Sequence, residues 1–188
     1  MGLFTKFPHL ENDKIIIKRM KEEDVFALSE ISNNDNIYRY IPPFLYRKDE
    51  KFLLEAIRSL GGRDFVKKRF IIAGVYLQSN EVELVGLAEM FDYRKLKKQI
   101  TVGYCLNEKY WHQQIATNIL QLMKHYLTGE IGIKTLQAFV MPENIYSVKV
   151  LLHNGFVKGN NTCQEKNWGG RELAQVDVYI FTAGNKKK

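Results

Sequence analysis

Cysteine is nearly missing from this chain of 188 residues. The two present, Cys105 and Cys163, sit in no metal-ligand spacing and build no disulfide framework, so both are expected as free thiols in a reducing compartment and no metal is expected. Cys105 falls in an apolar strand pattern and Cys163 in a polar loop. No apolar run approaches the length that spans a bilayer, and the N-terminus has no charged head followed by an apolar signal core. Lys6 stands where a myristoylation signal needs Ser or Thr, so no membrane association and a cytoplasmic location are expected. A nucleic-acid surface calls for a clustered basic stripe or aromatic-basic interleaving, and neither is read outside Arg63 to Arg69, so nucleic-acid binding is not expected. The net charge of +7 favours anionic ligands in general. Repeats and linkers are also absent. A single domain over residues 14–183 is expected, with residues 1–13 as an N-terminal arm and 184–188 as a basic tail.

What the chain does have is an ordered alternation of strand and helix signals. The run Ile15-Ile16-Ile17 suits a buried strand, and Val25, Leu28 and Ile31 follow at helical spacing behind the acidic Glu22-Glu23-Asp24. Residues 33–47, polar and aromatic and broken by Pro42-Pro43, are expected as a loop. Asp49 is placed to cap a second helix that ends at Gly61-Gly62. Strands at 69–77, 82–93 and 99–106 predict an antiparallel meander, and strands at 134–140 and 175–182 complete the sheet. These strands are apolar at both parities, which predicts an α/β domain: a mixed, mostly antiparallel sheet with helices on both faces.

The chain is organised around residues 102–156. There a strand ends near Asn107, a turn occupies 108–114, and Ile115, Ile119, Leu122, Met123 and Tyr126 recur at the helical period. Such a loop presents backbone N–H groups and the positive end of a helix dipole, a seat for phosphate, and so points to a nucleotide-like cofactor. The strand, helix, strand order predicts that 99–106 and 134–140 lie side by side in parallel and diverge beyond Leu106.

Two blocks of this stretch, GYCLNEKYWHQQIATNIL and PENIYSVKVLLHNGF, resemble the GNAT N-acetyltransferases, and in particular the RimJ/RimL-like subgroup that acetylates N-terminal amines of ribosomal proteins. The resemblance implies an acyl-CoA N-acyltransferase fold and direct acetyl transfer from acetyl-CoA to a primary amine, of a protein N-terminus or a small molecule. It implies that Trp111, His112, Gln113, Gln114, Ile115, Ala116 and Thr117 hold the pyrophosphate, that the acetyl carbonyl lies against the backbone near Leu106 and Asn107, and that Asn144 orients the pantetheine arm. Ser147 matches the hydroxyl that protonates the leaving thiolate. The chain departs from the family pattern in two respects. Gln114 and His112 stand where glycine is usual, and Thr101 replaces a frequent Glu base. A GNAT-fold binding module with a degenerate loop is the rival reading. Oligomeric state is left between monomer and homodimer.

The residues allow structural readings too. Asn144 behind Pro142-Glu143 suits a helix cap, and Ser147 suits its first turn. Glu89 shares a strand with the apolar Val85, Leu87 and Phe91 at alternating positions, so burial would raise its pKa toward that of a useful base, unless it serves only as a structural partner. Tyr38, Tyr40, Phe44 and Tyr46 line an acceptor site or pack their loop. His112, His125 and His153 read as surface residues.

Overall fold

The computed structural model describes residues 2–184, so the lysines of the basic tail lie outside the described residues. The strands are β1 (Leu10–Glu11), β2 (Ile15–Lys18), β3 (Ile71–Leu77), β4 (Asn80–Arg94), β5 (Gln99–Leu106), β6 (Thr135–Val140), β7 (Val157–Trp168) and β8 (Arg171–Thr182). They form one sheet in the order β1-β2-β3-β4-β5-β6-β8-β7. Every neighbouring pair is antiparallel except β5 with β6. The helices are α1 (Val25–Ser32), α2 (Asp35–Tyr38), α3 (Glu50–Gly61), α4 (Arg63–Val66), α5 (Ile115–His125) and α6 (Ile145–His153).

Apolar residues at both parities are explained by helices on both faces. Ile15, Ile17, Ala73, Val75, Met90 and Ile100 pack under Ile119, Met123 and Leu151 of α5 and α6. On the other face Ile16, Ile72, Tyr76 and Leu87 pack under Leu28, Ile31, Leu53 and Ile57 of α1 and α3. Burial of each such side chain stabilises the fold by about 1.5–3 kcal/mol before the entropy of ordering it is counted. Asp49 caps α3, its carboxylate accepting from the N–H of Phe52 at 2.7 Å.

Four additions to the sequence reading, or departures from it, have physical causes. The N-terminal arm, described from residue 2, packs on the domain, because Leu3, Phe7 and Leu10 are buried and β1 pairs with β2. The loop at 33–47 contains α2, whose capping residue Asn34 accepts from the N–H groups of Asn36 and Ile37. Cys163 lies in β7 rather than in a loop. That edge strand is exposed over most of its length and so lacks the alternation that marks a half-buried strand.

The fourth shapes the site. β5 and β6 are parallel as expected, but they pair only from Gln99↔Thr135 to Thr101↔Gln137 and part before Leu106. Beyond that point β5 stays paired with β4 to Gly86↔Leu106, and β6 stays paired with β8 to Val140↔Asp177. Each strand follows its outer partner, and the twist of the sheet opens a wedge between them.

Candidate active site

The turn after β5 is tied back to the strand it leaves. The side-chain oxygen of Asn107 accepts from the N–H of Lys109 at 3.2 Å, and the indole N–H of Trp111 donates to the Leu106 carbonyl at 3.0 Å. The chain then turns sharply enough that His112 and Gln114 adopt φ of 61° and 62°. These two residues replace the glycines of the family pattern, and they take the left-handed conformation for which glycine is ordinarily used. Gln114 is the capping residue of α5, yet no side chain caps this helix. Its first-turn N–H groups have no partner within the helix.

An uncapped helix start with open N–H groups and the positive end of a dipole fits a pyrophosphate. Because the left-handed turn already exists with Gln114, Gln114→Gly should change CoA affinity only a few-fold. Gln114→Val places a β-branched residue at positive φ, at a cost of about 1–2 kcal/mol. Calorimetry with CoA should show weaker binding for Gln114→Val, and thermal melting should show lower stability.

The wedge between β5 and β6 supplies the next part of the cradle. The Asn107 N–H donates to the Val85 carbonyl of β4 at 2.9 Å. By strand alternation the backbone groups of Leu106 and Tyr104 then point away from β4, toward the wedge that β6 has left. With the Leu106 carbonyl taken by Trp111, the Leu106 N–H and the Tyr104 backbone groups of this edge are left to pair with an amide-bearing arm as a further strand would. A cleft of about 300 Å³ runs along it, lined by Leu106, Trp111, His112, Gln114, Ile115, Ala116 and Thr117 on one side and by Asn144, Tyr146 and Ser147 of the α6 region on the other. His112 and Tyr146 meet edge to face across it, ring centroids 4.8 Å apart. Asn107 and Gln113 are placed outside. The Asn107 amide donates to Glu30 at 3.1 Å, and the exposed Gln113 donates to the Lys109 carbonyl.

Asn144 does cap α6, accepting from the Ser147 N–H at 3.2 Å, and it faces the cleft as well. The Tyr104 hydroxyl donates to the Ser147 hydroxyl oxygen at 3.3 Å. Burial pushes the Tyr104 phenol up to about 12, against a smaller opposing pull from Ser147, so Tyr104 keeps its proton. The sequence reading assigned Tyr104 no role. Its only signal was its place beside Gly103 in the strand block.

A second cavity of about 120 Å³ meets the first at Tyr104, Asn144 and Ser147 and reaches through the wedge to the opposite face of the sheet. Glu89 opens into it. Its cross-strand neighbour is Gly103, where a β-carbon would come within 3.2 Å of the carboxylate. Burial alone pushes Glu89 up to about 7. Val85 is not on the face of Glu89 as strict alternation predicts. A bulge pairs Val75 with Gly86 but Tyr76 with Leu84, which turns Val85 into the α5 face. Tyr38, Tyr40 and Phe44 line this cavity, whereas the Tyr46 hydroxyl donates to Asp35. Burial above all, and then the Glu89 charge, hold the Cys105 thiol far above its ordinary value, which removes it as a thiolate nucleophile.

Comparison with known proteins gives this arrangement a family. Residues 14–157, well over half of the chain, match the family model described as the acetyltransferase (GNAT) domain. An uncharacterized N-acetyltransferase of Bacillus subtilis strain 168, YoaA, is 24% identical over 152 residues, covering 81% of this chain and 84% of that protein. The fold is shared with Mycobacterium smegmatis RimJ in complex with a CoA disulfide, at TM-score 0.82 and 17% identity over 100% of this chain and 93% of that one. It is also shared with RimL, a ribosomal L7/L12 α-N-protein acetyltransferase in complex with coenzyme A, at TM-score 0.78 and 16% identity over 93% and 98%. The wedge, the open helix start and the matched residues together place this chain in the GNAT acetyltransferase family, whose activity is acetyl-CoA-dependent acetyl transfer.

Proposed function

We propose that this protein acetylates a primary amine held in the second cavity, with Glu89 as the base and Ser147 as the acid. The acceptor class is that of RimL, a protein N-terminus, or a small-molecule amine. The observation that carries the reading is the meeting of the two cavities in the wedge: a buried carboxyl opens on one side, and an uncapped helix start lies on the other. Acetyl-CoA supplies an activated acyl group as a thioester. The backbone of residues 111–117 would hold its pyrophosphate, the edge of Leu106 and Tyr104 its pantetheine arm and carbonyl, and Asn144 would orient that arm.

Glu89 takes a proton from the acceptor ammonium, which frees the nitrogen lone pair. The nitrogen bonds to the acetyl carbon and the carbon–sulfur bond breaks; Ser147 passes its hydroxyl proton to the sulfur and regains one from the nitrogen, which leaves the neutral amide, while Tyr104 donates toward Ser147. Because Glu89 titrates at about 7, kcat/KM measured by thiol release from acetyl-CoA should rise with pH through that value. A profile flat from pH 6 to pH 8 would remove Glu89 as the base. Ser147→Ala should lower kcat by about 10²-fold or more with little change in KM for acetyl-CoA. A preserved kcat would assign the proton to another group.

A further inference from the structure

We propose that the acceptor is a compact primary amine carried on an apolar or aromatic body with no second charge, and that it is a free molecule rather than the end of a polypeptide. This inference rests on the acetyl-transfer reading of the site. Of the residues lining the second cavity, Glu89 alone bears an ionisable acid or base that is charged near neutrality. Apart from the neutral Asn144 and Ser147 at the junction and the tyrosine hydroxyls, its walls are hydrocarbon and aromatic, with Phe91, Val102, Leu120, Phe139, Leu151 and Trp168 among them. One carboxylate can compensate one ammonium, and that one is consumed by the reaction. A polyamine would bury a second ammonium without a counter-charge, and an amino acid or phosphorylated amine would bury an anion without a cation.

Size points the same way. The cavity measures about 120 Å³, and cavities of roughly 150 Å³ lined by Leu, Ile and Phe take up a benzene ring. The body beside the amine is therefore of the order of one aromatic ring or a short branched alkyl group.

A strap of chain crosses one side of the cavity. Trp168 at the end of β7 lines the cavity, and the next residue, Gly169, donates its N–H to the Ile41 carbonyl at 3.3 Å. Gly169 has φ +57° and lies so close that an added β-carbon would stand 2.3 Å from the Arg39 carbonyl oxygen. The other arm of the hairpin is pinned by Arg171, which donates to Glu143 at 2.9 Å just before α6. This strap crosses from the 39–41 loop to the start of α6, where Trp168 forms one wall of the cavity. A chain leaving on that side behind its own N-terminus would need to displace it, whereas a compact amine fits beneath it.

The test compares three acceptors at saturating acetyl-CoA by thiol release: phenethylamine, spermidine and the tetrapeptide Leu-Ala-Ala-Ala. The expected result is a kcat/KM for phenethylamine about 10²-fold or more above both others, the scale on which apolar misfit and unpaired charge are rejected. Spermidine equal to phenethylamine would overturn the apolar assignment, and an equal or better tetrapeptide would overturn the free-amine assignment. Gly169→Ala, which forces the strap off the Arg39 carbonyl, should narrow the preference over the tetrapeptide about tenfold in protein that melts cooperatively. An unchanged ratio in such protein would contradict the strap's role. If no acceptor releases thiol, the same three are titrated calorimetrically into protein loaded with CoA. Selective binding of phenethylamine then upholds the pocket assignment while removing the transfer reading, and no selective binding overturns the pocket assignment itself.

Discussion

Glu89→Gln lowers turnover by roughly 10²–10⁴-fold at saturating acetyl-CoA, the usual loss with a general base, and leaves CoA affinity nearly unchanged. The same substitution should raise the melting temperature at pH 8. The sign follows from the direction of the shift. Burial holds the Glu89 pKa near 7, above the ordinary 4.5, so between those values the folded protein keeps a proton that the unfolded chain has lost. Stability from this group is therefore complete below about pH 4.5 and is lost as pH rises through 7, where the buried carboxylate ionises. A neutral amide escapes that loss, so the gain at pH 8 should shrink toward zero at pH 5. Retained turnover would remove Glu89 from the chemistry, and a lower melting temperature at pH 8 would show that its carboxylate is a structural partner instead. Lower activity with higher stability is the pattern of a site whose function is held against the preference of the fold.

Ala116→Asp is the second large effect. Ala116 lies in the first turn of α5 and lines the cofactor cleft. An acidic residue in a first turn interacts favourably with the helix dipole, by about 0.3–1 kcal/mol, so the free protein should be as stable as the parent or slightly more so. Toward a pyrophosphate the same charge is repulsive. Like charges about 4–5 Å apart at an effective dielectric of about 20 repel by roughly 3–4 kcal/mol, which corresponds to a loss of CoA affinity beyond 10²-fold. The parent should gain about 2.7 kcal/mol of stability at a CoA concentration one hundred times its Kd, and Ala116→Asp should show no such gain at that concentration. Equal CoA-induced shifts in the two proteins would move the pyrophosphate away from this helix.

Much of this architecture was legible because its signals are local. The Ile15-Ile16-Ile17 run, the Asp49 cap and the helical period from Ile115 each lie within one element or at its end, and the meander joins strands that are neighbours in sequence; each appears close to its expected place. β7 was not legible because an edge strand exposed on both faces needs no alternation. The bulge that turns Val85 away from Glu89 was hidden for a different reason, since a register shift belongs to a pair of strands and not to one. The same holds for the wedge. Its starting point is set by which outer partner each of β5 and β6 follows, a property of the whole sheet. Gln114 and His112 show the limit of residue-type rules: the positions keep the positive φ of glycine although the residues are not glycine. Tyr104 joins the two cavities, yet in sequence it is one more aromatic residue in a strand.

The most direct test of acetyl transfer across the wedge is a crystal structure of the full chain with acetyl-CoA. The pyrophosphate is expected against the backbone N–H groups of residues 112–117, and the pantetheine arm along the edge left open at Tyr104 and the Leu106 N–H. The acetyl group is expected at the junction of the two cavities, facing the opening toward Glu89. Acetyl-CoA bound elsewhere, with that edge and the start of α5 left in solvent, would contradict acetyl transfer across the wedge.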